Sequence, residues 1–495
     1  MTHFQKLVEQ FAKSEALRGM EPWLPRNDEW LLEWRDFDVE YRRQRVGKCI
    51  GQMPDVYHAY GHKLQCNMDR LKRQVRTEYD KERLKGIDES FAATKAADWV
   101  SIMVDAVLSW AGQSIEGALV DQAEFRRFSV VVWDFYEKFT TAYNKVVEEV
   151  PGNQRKRKTD PPPLVAFSST RVLGPHTITA DQVSHLIGTR VGVVGLPSVF
   201  AKFPLLWAPL AHEVFGHDVQ HSLGRTPSAL LMPDIIQELR GIVDTNASEK
   251  WRPAWKVWTE ELAADLAGLL CMGPYFAIGF AALMSVTACS DPCGPSWAPG
   301  IVGTTLVARG GRAYDEHPPD LLRLYAMLGA VEAMLKLQGF DKLSCSVKAL
   351  VRVIDEAHGP STMIDVYDFD SQSVLMRCKC DVLIADALKI GRALITEPLK
   401  SLGNKQITYF HSWNNTDEDK AHSIAKIAAS SNSREVQIPD GSKAQHLLAG
   451  AIMAAYADPD PESFNNINKF LNAALSKRAA DAFNDINKFL NAFTA

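Results

Sequence analysis

Three histidines, one glutamate and one aspartate lie within ten consecutive residues of this chain, directly after the apolar run 203–211. Burying such groups without partners costs roughly a few kcal/mol each, and a bound cation is a common partner for them. Pro209 is tolerated in a first helical turn and Gly224 is typical just past a helix end, so residues 208–224 predict one helix of about four turns. We therefore interpret this helix as a zinc site that His212, Glu213, His217 and His221 share.

The two leading ligand candidates, His212 and His217, are five residues apart. Five positions on a regular helix rotate a side chain by about 140°. The two rings would converge only if the helix carried a one-residue bulge, which is common at functional sites, and Gly216 would ease that unwinding. The alternative is a regular helix that presents Glu213, His217 and His221 on one stripe, at the cost of the obvious catalytic base.

A third ligand is available in the helical pattern 258–268, where Glu261 and Asp265 stand one turn apart on one face. Metal-bound imidazoles usually donate their free N–H to a carboxylate, so Glu261 can ligate while Asp265 orients a histidine. Two histidines and one glutamate leave a fourth position open, as in catalytic zinc sites that lower the pKa of bound water to about 7. Further candidates for side chains that hydrogen-bond to the ligands and orient them are Glu260, Asp218 and His221.

These motifs resemble known metallopeptidases. His212-Glu-Val-Phe-Gly-His217 followed by Glu260-Glu-Leu-Ala-Ala-Asp265 resembles the dipeptidyl peptidase III pattern. The second motif, followed by His317-Pro-Pro319 and Arg323, is also similar to the CAAX-prenyl endopeptidase group. Both groups are gluzincin metallopeptidases.

The resemblance covers about residues 190 to 330 and implies a role for each matching residue. By position, His212, His217 and Glu261 would bind Zn²⁺, and Glu213 would be the base that activates water. A developing oxyanion needs a further donor, for which we consider His317, Tyr314 and Arg323 because they follow the ligand helices in the sequence. His317 could equally be a loop residue held by its prolines.

The composition of the chain limits the classes of protein to which it can belong. The chain has 495 residues, 46% hydrophobic and 23% charged, which is ordinary for a globular protein of several domains. A net charge of −5 gives no case for nucleic-acid binding. Residues 1–10 lack the apolar run of a secretory signal, and the eight cysteines form neither a zinc ribbon nor a dense disulfide framework. We therefore expect a cytoplasmic protein with reduced thiols.

Residues 266–289 carry no charge over twenty-four positions, a length that could span about 30 Å of hydrocarbon. The segment contains Pro274 and three glycines, and it begins beside Asp265. We therefore predict a buried core helix or a broken helix pair, and no membrane insertion.

The predicted fold is mainly α with a small β-sheet (α+β), a metallopeptidase-like core between helical regions. We divide the chain into a helical N-terminal domain (1–150), a linker or exposed loop (151–163), a catalytic domain (164–402) and a C-terminal helical region (403–495).

Short β-rich segments predict strands at 164–168, 190–196 and 407–410. The second of these could be an edge strand that holds an extended peptide by main-chain pairing. A small sheet that only closes the catalytic core fits the sequence equally well.

The C-terminal region contains a repeat, 464–473 and 483–492, offset by nineteen residues. Each copy has an apolar stripe typical of an amphipathic helix. A helical hairpin docked on its own body and a segment that binds a protein partner explain the repeat equally well.

The sequence as a whole predicts a zinc-dependent hydrolase, foremost a metallopeptidase acting on a peptide or protein. Two other functions fit the motifs: a zinc hydrolase with a non-peptide substrate, and a non-catalytic scaffold that zinc stabilises and that binds partners through the repeats. The position of Glu213 beside His212 argues against the scaffold, because a structural site needs no base.

Overall fold

Helices make up most of the computed structural model, and the strands form two small three-stranded sheets. The predicted class, mainly α with a small sheet, is confirmed. The structure describes residues 2–13, 39–85, 91–112, 121–149, 161–168, 175–218, 231–288, 305–308, 317–337, 339–358, 363–368, 373–410, 412–430 and 437–492.

Long helices precede and surround the first sheet. Before the sheet come α1 (His3–Lys13), α2 (Val39–Cys49), α3 (His58–Lys85), α4 (Phe91–Leu108) and α5 (Gln122–Glu149). The sheet region holds β1 (Leu164–Ser168), β2 (His176–Ile178), α6 (Ala180–Ile187), β3 (Val193–Pro197) and a π-helix (His212–Asp218).

The second half alternates helices with the second sheet. In chain order the elements are α7 (Leu231–Asn246), α8 (Arg252–Val257), α9 (Thr259–Met272), α10 (Pro274–Ala288), β4 (Thr305–Ala308), α11 (Asp320–Met334), α12 (Ser344–His358), β5 (Met363–Asp368), β6 (Ser373–Lys379), α13 (Cys380–Thr396), α14 (Ile407–Phe410), α15 (Asn415–Ser430), α16 (Ala444–Ala457) and α17 (Pro461–Ala492). Short 3₁₀ turns join some of them.

The first sheet has the strand order β1-β3-β2, with β1 parallel and β2 antiparallel to β3. The strand predicted at 164–168 is confirmed. The one predicted at 190–196 runs from Val193 to Pro197, and its proposed role as an edge is wrong because β1 and β2 pair with both of its sides. The three-residue strand β2 is too short to show a periodicity in the sequence.

The second sheet has the order β4-β5-β6, with β5 parallel to β4 and antiparallel to β6, and the sequence predicted none of its strands. The strand predicted at 407–410 is also wrong, since these residues form the short helix α14. Ile407 is 5% exposed there, so packing of this side chain overrides the β-propensity of the segment.

The uncharged segment 266–289 is a broken helix pair, as predicted. Helix α9 ends at Gly273, whose φ of 64° favours glycine, and a Cβ there would lie 2.5 Å from the Trp413 ring. Pro274 then opens α10. Among the described residues, no helix is both long and apolar enough to cross a bilayer.

The largest hydrophobic cluster runs from Phe4 in α1 to Leu475 in α17 and so combines residues from the N-terminal, catalytic and C-terminal regions. The proposed boundaries between these regions stay a prediction. Most of the proposed linker, 151–160, lies outside the described residues.

The two repeat copies lie on one continuous helix, α17, so the predicted hairpin is wrong. The first copy is fully packed: its apolar stripe, at most 2% exposed, consists of Phe464, Ile467, Phe470 and Leu471. The side chains of 483–492 lie outside the described residues.

Candidate metal centre

The histidine pair sits on a π-helix, the bulged conformation that the five-residue spacing requires. The π-helix spans His212–Asp218, and its wider i→i+5 turn brings residues five apart onto one side. The ring centroids of His212 and His217 are 4.6 Å apart. Gly216 lets the π-helix approach α9, because a Cβ there would lie 2.4 Å from the Cβ of Ala264.

Helix α9 brings Glu261 to both rings. Nε2 of His212 lies 3.4 Å from one carboxylate oxygen of Glu261, and Nε2 of His217 lies 3.3 Å from the other. The ligand atoms of the three residues all lie within 4.8 Å of one another. The predicted convergence of two imidazoles and one carboxylate is therefore present.

The geometry fits a bound cation. Two ligands at about 2.0–2.1 Å from a tetrahedral zinc are about 3.4 Å apart. Each imidazole Nε2 lies at about this distance from one of the two oxygens of Glu261, at 3.4 Å for His212 and 3.3 Å for His217. Glu261 is 7% exposed, and its buried Oε2 has only long contacts, both of 3.4 Å, with Nε2 of His212 and with the guanidinium of Arg323. Because buried polar atoms normally have a close partner, this oxygen fits the role of a metal ligand. The group could hold a metal ion.

Asp265 contacts the His212 ring on the side away from Glu261. The Nδ1 of His212 lies 3.0 Å from Oδ1 of Asp265, so its N–H can donate there while Nε2 points to Glu261. Arg323 of α11 donates two hydrogen bonds, of 2.8 and 2.7 Å, to the same carboxylate. This chain of contacts sets the tautomer and the orientation of the imidazole.

Burial and charge set the protonation of this group. Burial alone would lower the pKa of His212, but hydrogen bonds and charge from Asp265 and Glu261 outweigh it and raise the pKa to about 9. Burial would raise the pKa of Glu261, yet hydrogen bonds from His212 and His217 hold it well below its usual range. Burial would likewise raise the pKa of Asp265, but the charge and hydrogen bonds of Arg323 outweigh burial and lower this pKa. A cation must therefore displace a proton from His212.

The sequence missed two residues that contact the site. Phe280 of α10 stacks on the His212 ring at 5.7 Å and 24°, and the guanidinium of Arg323 lies 4.5 Å from the same phenyl ring. Thr177 of β2 donates a hydrogen bond to Oε2 of Glu213 at 2.9 Å, and the same hydroxyl lies 3.1 Å from the Glu213 carbonyl oxygen. Neither residue belongs to a motif, so no local signal reveals them.

Two of the three proposed oxyanion donors lie at the site. Nε2 of His317 is 3.5 Å from Oε1 of Glu261, and 58% of its side chain is exposed. Arg323 is 5% exposed and is bound to Asp265, which places its guanidinium behind His212. This is the geometry of a positioning residue. Tyr314 lies outside the described residues.

The remaining supporting candidates have other neighbours. Glu260 pairs with Arg240 of α7. The Oδ1 of Asp218 packs against Gly192, where a Cβ would fall 2.0 Å from it. Burial, together with the charge of Asp218, raises the pKa of Tyr57. His221 lies outside the described residues, so the alternative ligand set that contains it is not described.

Comparison with protein-family models, with curated proteins and with solved structures finds no match for this chain. The likeness to gluzincins therefore depends on the two motifs alone.

Proposed function

We propose that this protein is a zinc-dependent hydrolase, and specifically a metallopeptidase that cleaves peptide bonds with activated water. One observation supports the proposal above all: His212, His217 and Glu261 converge around one point, and Glu213 follows His212 directly in the sequence. A site that served only stability would need the ligands but no neighbouring carboxylate.

The donor set favours zinc over calcium and magnesium. Two imidazole nitrogens and one carboxylate are typical of catalytic zinc, whereas calcium and magnesium prefer sets made of oxygen. Three protein ligands leave one position for water or substrate. When bound, zinc polarises a carbonyl and lowers the pKa of water to about 7.

Glu213 is the proposed proton carrier. Its Oε2 is held by Thr177 and its Oε1 remains to take the proton of the attacking water and deliver it to the leaving amine. At 8% exposed, the carboxylate works in a largely dry setting. Thr177 therefore fixes which oxygen does the proton transfer.

The proposed roles of the other residues follow from their positions. His317, at the exposed side of Glu261, can donate to the developing oxyanion. Arg323 and Asp265 orient His212. Tyr314 stays a candidate donor on its sequence position.

Metal analysis and one conservative substitution test the proposal. We expect about one zinc ion per purified chain, as for a site with one open position. Glu213→Gln should keep the metal and lower turnover by at least about 100-fold, because general-base catalysis is lost. The control Glu260→Gln, whose carboxylate pairs with Arg240, should keep both metal and turnover. Full activity of Glu213→Gln would contradict the mechanism.

The third ligand and the substrate class need separate measurements. Glu261→Gln should reduce zinc occupancy far more than Glu260→Gln; equal effects would remove Glu261 from the ligand set. Turnover of peptides in a panel of peptides and esters supports a peptidase. Turnover of esters alone would indicate instead a hydrolase with a non-peptide substrate and the same metal ligands.

A further inference from the structure

A buried histidine outside the metal centre joins the starts of two helices. His446 is 3% exposed and lies in the first turn of α16. Its Nδ1 accepts the backbone N–H of Lys443 at 2.9 Å, and its Nε2 lies 2.8 Å from Oδ1 of Asp417 in the first turn of α15. Because Nδ1 is used as an acceptor, Nε2 carries the proton and donates it to Asp417. The imidazole is therefore neutral, and both of its nitrogens are occupied.

The same contacts hold the starts of both helices. The first backbone N–H groups of a helix have no partner within the helix and need one from elsewhere. At α15, Oδ2 of Asp417 accepts the N–H of Asn414 at 3.1 Å. At α16, the N–H of Ala444 donates to Asp134 of α5 at 2.7 Å, next to the N–H that His446 accepts. His446 thus connects the two helix starts.

A second proton on His446 is incompatible with this arrangement. It would place two donors, Nδ1–H and the N–H of Lys443, 2.9 Å apart, so the backbone group would lose its acceptor. Burial lowers the pKa of His446 and the charges of Lys138 and Lys420 add to this, while Asp417 offsets only part of the effect. Burial would raise the pKa of Asp417, but the hydrogen bond from His446 and the charge of Lys138 lower it to about 2. The neutral ring and the ionised carboxylate are therefore the favoured pair.

The other charged side chains near the ring already have partners. Lys443 pairs with Glu137, and Arg478 of α17 pairs with Asp134. Glu418 of α15 accepts hydrogen bonds from Trp413, Tyr275 and Ser346, and His422 lies 3.3 Å from it. The remaining titratable groups of the surrounding elements are Lys138, which donates to the carbonyl of Cys271, Cys271 itself, and Lys420, which donates to the carbonyl of Gly441. With its acceptor lost, the start of α16 has to move.

A chain of contacts leads from His446 to the metal centre. The Trp413 ring lies 5.7 Å from the imidazole of His446. It also packs on Gly273, where a Cβ would lie 2.5 Å from it. Gly273 is the joint between α9, which carries Glu261, and α10, which carries Phe280. Movement at His446 therefore reaches both helices that support the candidate ligands.

We propose that His446 is an acid-sensitive latch: its neutral ring ties α15 to α16, and protonation releases α16 and weakens the candidate metal centre through Trp413 and the joint of α9 and α10. The latch itself is independent of the proposed function. Its effect on zinc rests on the proposed function.

His446→Gln removes the titration and keeps the hydrogen bonding, because a glutamine at this position of a capping box supplies a neutral acceptor to the first N–H. Denaturant unfolding of full-length, metal-stripped protein between pH 7.5 and 5.5 measures the difference. The unfolding constant of the wild type should rise relative to that of the variant by up to about tenfold per pH unit below about pH 6.5, because the unfolded chain takes up the proton first. The control His62→Gln, which removes an exposed histidine of α3, should follow the wild type.

Zinc titrations over the same range test the coupling. Protonation of His212 is common to both proteins and cancels. The affinity of the wild type should therefore fall further than that of His446→Gln, by at least about fivefold at pH 5.5, as is typical of coupled sites.

Each outcome decides one part of the proposal. Parallel unfolding curves for the wild type and His446→Gln would refute the latch and leave the zinc site standing. Diverging unfolding curves with equal zinc affinities would refute the coupling. If no protein binds zinc at any pH, the proposed function fails while the unfolding curves still judge the latch. If the variant does not fold, hydrogen exchange of the Lys443 amide in the wild type decides: an opening constant that does not rise below pH 6.5 overturns the proposal.

Discussion

At the residue scale, the negative and positive side chains of the candidate metal centre offset one another's charge before any metal binds. The carboxylates of Glu261 and Asp265 face the guanidinium of Arg323 and the imidazole of His212, whose pKa is raised to about 9. A buried set of this kind is stable only if each charge keeps its partner. Metal binding must therefore replace the His212 proton. The contacts of Asp265 with His212 and with Arg323 must stay in place when it does.

Metal affinity should rise with pH. Below the pKa of about 9, His212 carries a proton that the metal must displace, so the apparent affinity should increase up to about tenfold per pH unit and level off near pH 9. Competition titrations with a chelator at pH 6 to 9 measure this. An affinity that does not change over this range would mean that His212 is not a ligand.

The stability of metal-stripped protein should show the opposite trend. The pKa of His212 is higher in the folded chain than its ordinary value near 6.5, so its charged form stabilises the fold fully below about pH 6.5. That contribution is lost as the pH rises through about 9. Denaturant unfolding of metal-stripped protein should show this loss, and zinc-loaded protein should not.

Arg323 should matter for the metal although it does not face the open side. Arg323→Lys loses the two-point hold on Asp265, and supporting contacts of this kind typically change metal affinity by about 10- to 100-fold. The matched control is Arg240→Lys, which alters the pair with Glu260 at the surface of α7 and should leave affinity unchanged. Equal affinities for both variants would remove Arg323 from the support of the site.

At the element scale, the centre depends on how closely two helices approach. The π-helix and α9 meet at Gly216, where any Cβ would overlap Ala264. The spacing of the two histidines predicted the bulge, because an ordinary helix turns their rings apart. The sequence also predicted that Glu261 and Asp265 of α9 lie opposite the histidines, but it could not show the close approach at Gly216, since that depends on packing.

Gly216→Ala should push the π-helix away from α9 and separate His217 from Glu261. We expect a loss of about 1–3 kcal/mol in the free energy of unfolding, as for other overpacked sites, and weaker zinc binding. Gly241→Ala is the control: nothing lies within 4 Å of a Cβ there, and a helical alanine should add roughly 0.4–1 kcal/mol. Zinc titration and denaturant unfolding measure both effects, and normal metal binding by Gly216→Ala would contradict this account of the close approach.

At the scale of the whole molecule, the C-terminal helix is part of the main core. The first repeat copy packs onto α1, where the rings of Phe11 and Phe464 are 5.1 Å apart. Farther along α17, Arg478 pairs with the fully buried Asp134 of α5. The chain therefore joins its two ends in one core, although the sequence predicted separate N-terminal and C-terminal regions.

Phe470→Ala should destabilise the whole molecule by about 3–5 kcal/mol, because this side chain is 1% exposed in the main cluster. The neighbouring exposed Lys469→Ala should change stability by no more than about 0.5 kcal/mol. Thermal or denaturant unfolding measures both. Equal stabilities would mean that α17 is an accessory segment that leaves the core intact.

The sequence by itself predicted a group that could hold a metal ion and the local shape that this group needs. The five-residue spacing of His212 and His217 required a bulge if both rings were to converge, because that relation depends only on helical periodicity. Glu261 was predicted as their partner from the resemblance of its motif. Gly273 and Pro274 marked the helix break. Only the tertiary structure decided that β2 covers the edge of β3, that Thr177 contacts Glu213 and Phe280 contacts His212, and that the repeat lies on one helix whose first copy packs in the core. Those contacts join residues far apart in the chain, and their energies depend on packing partners that no local pattern encodes.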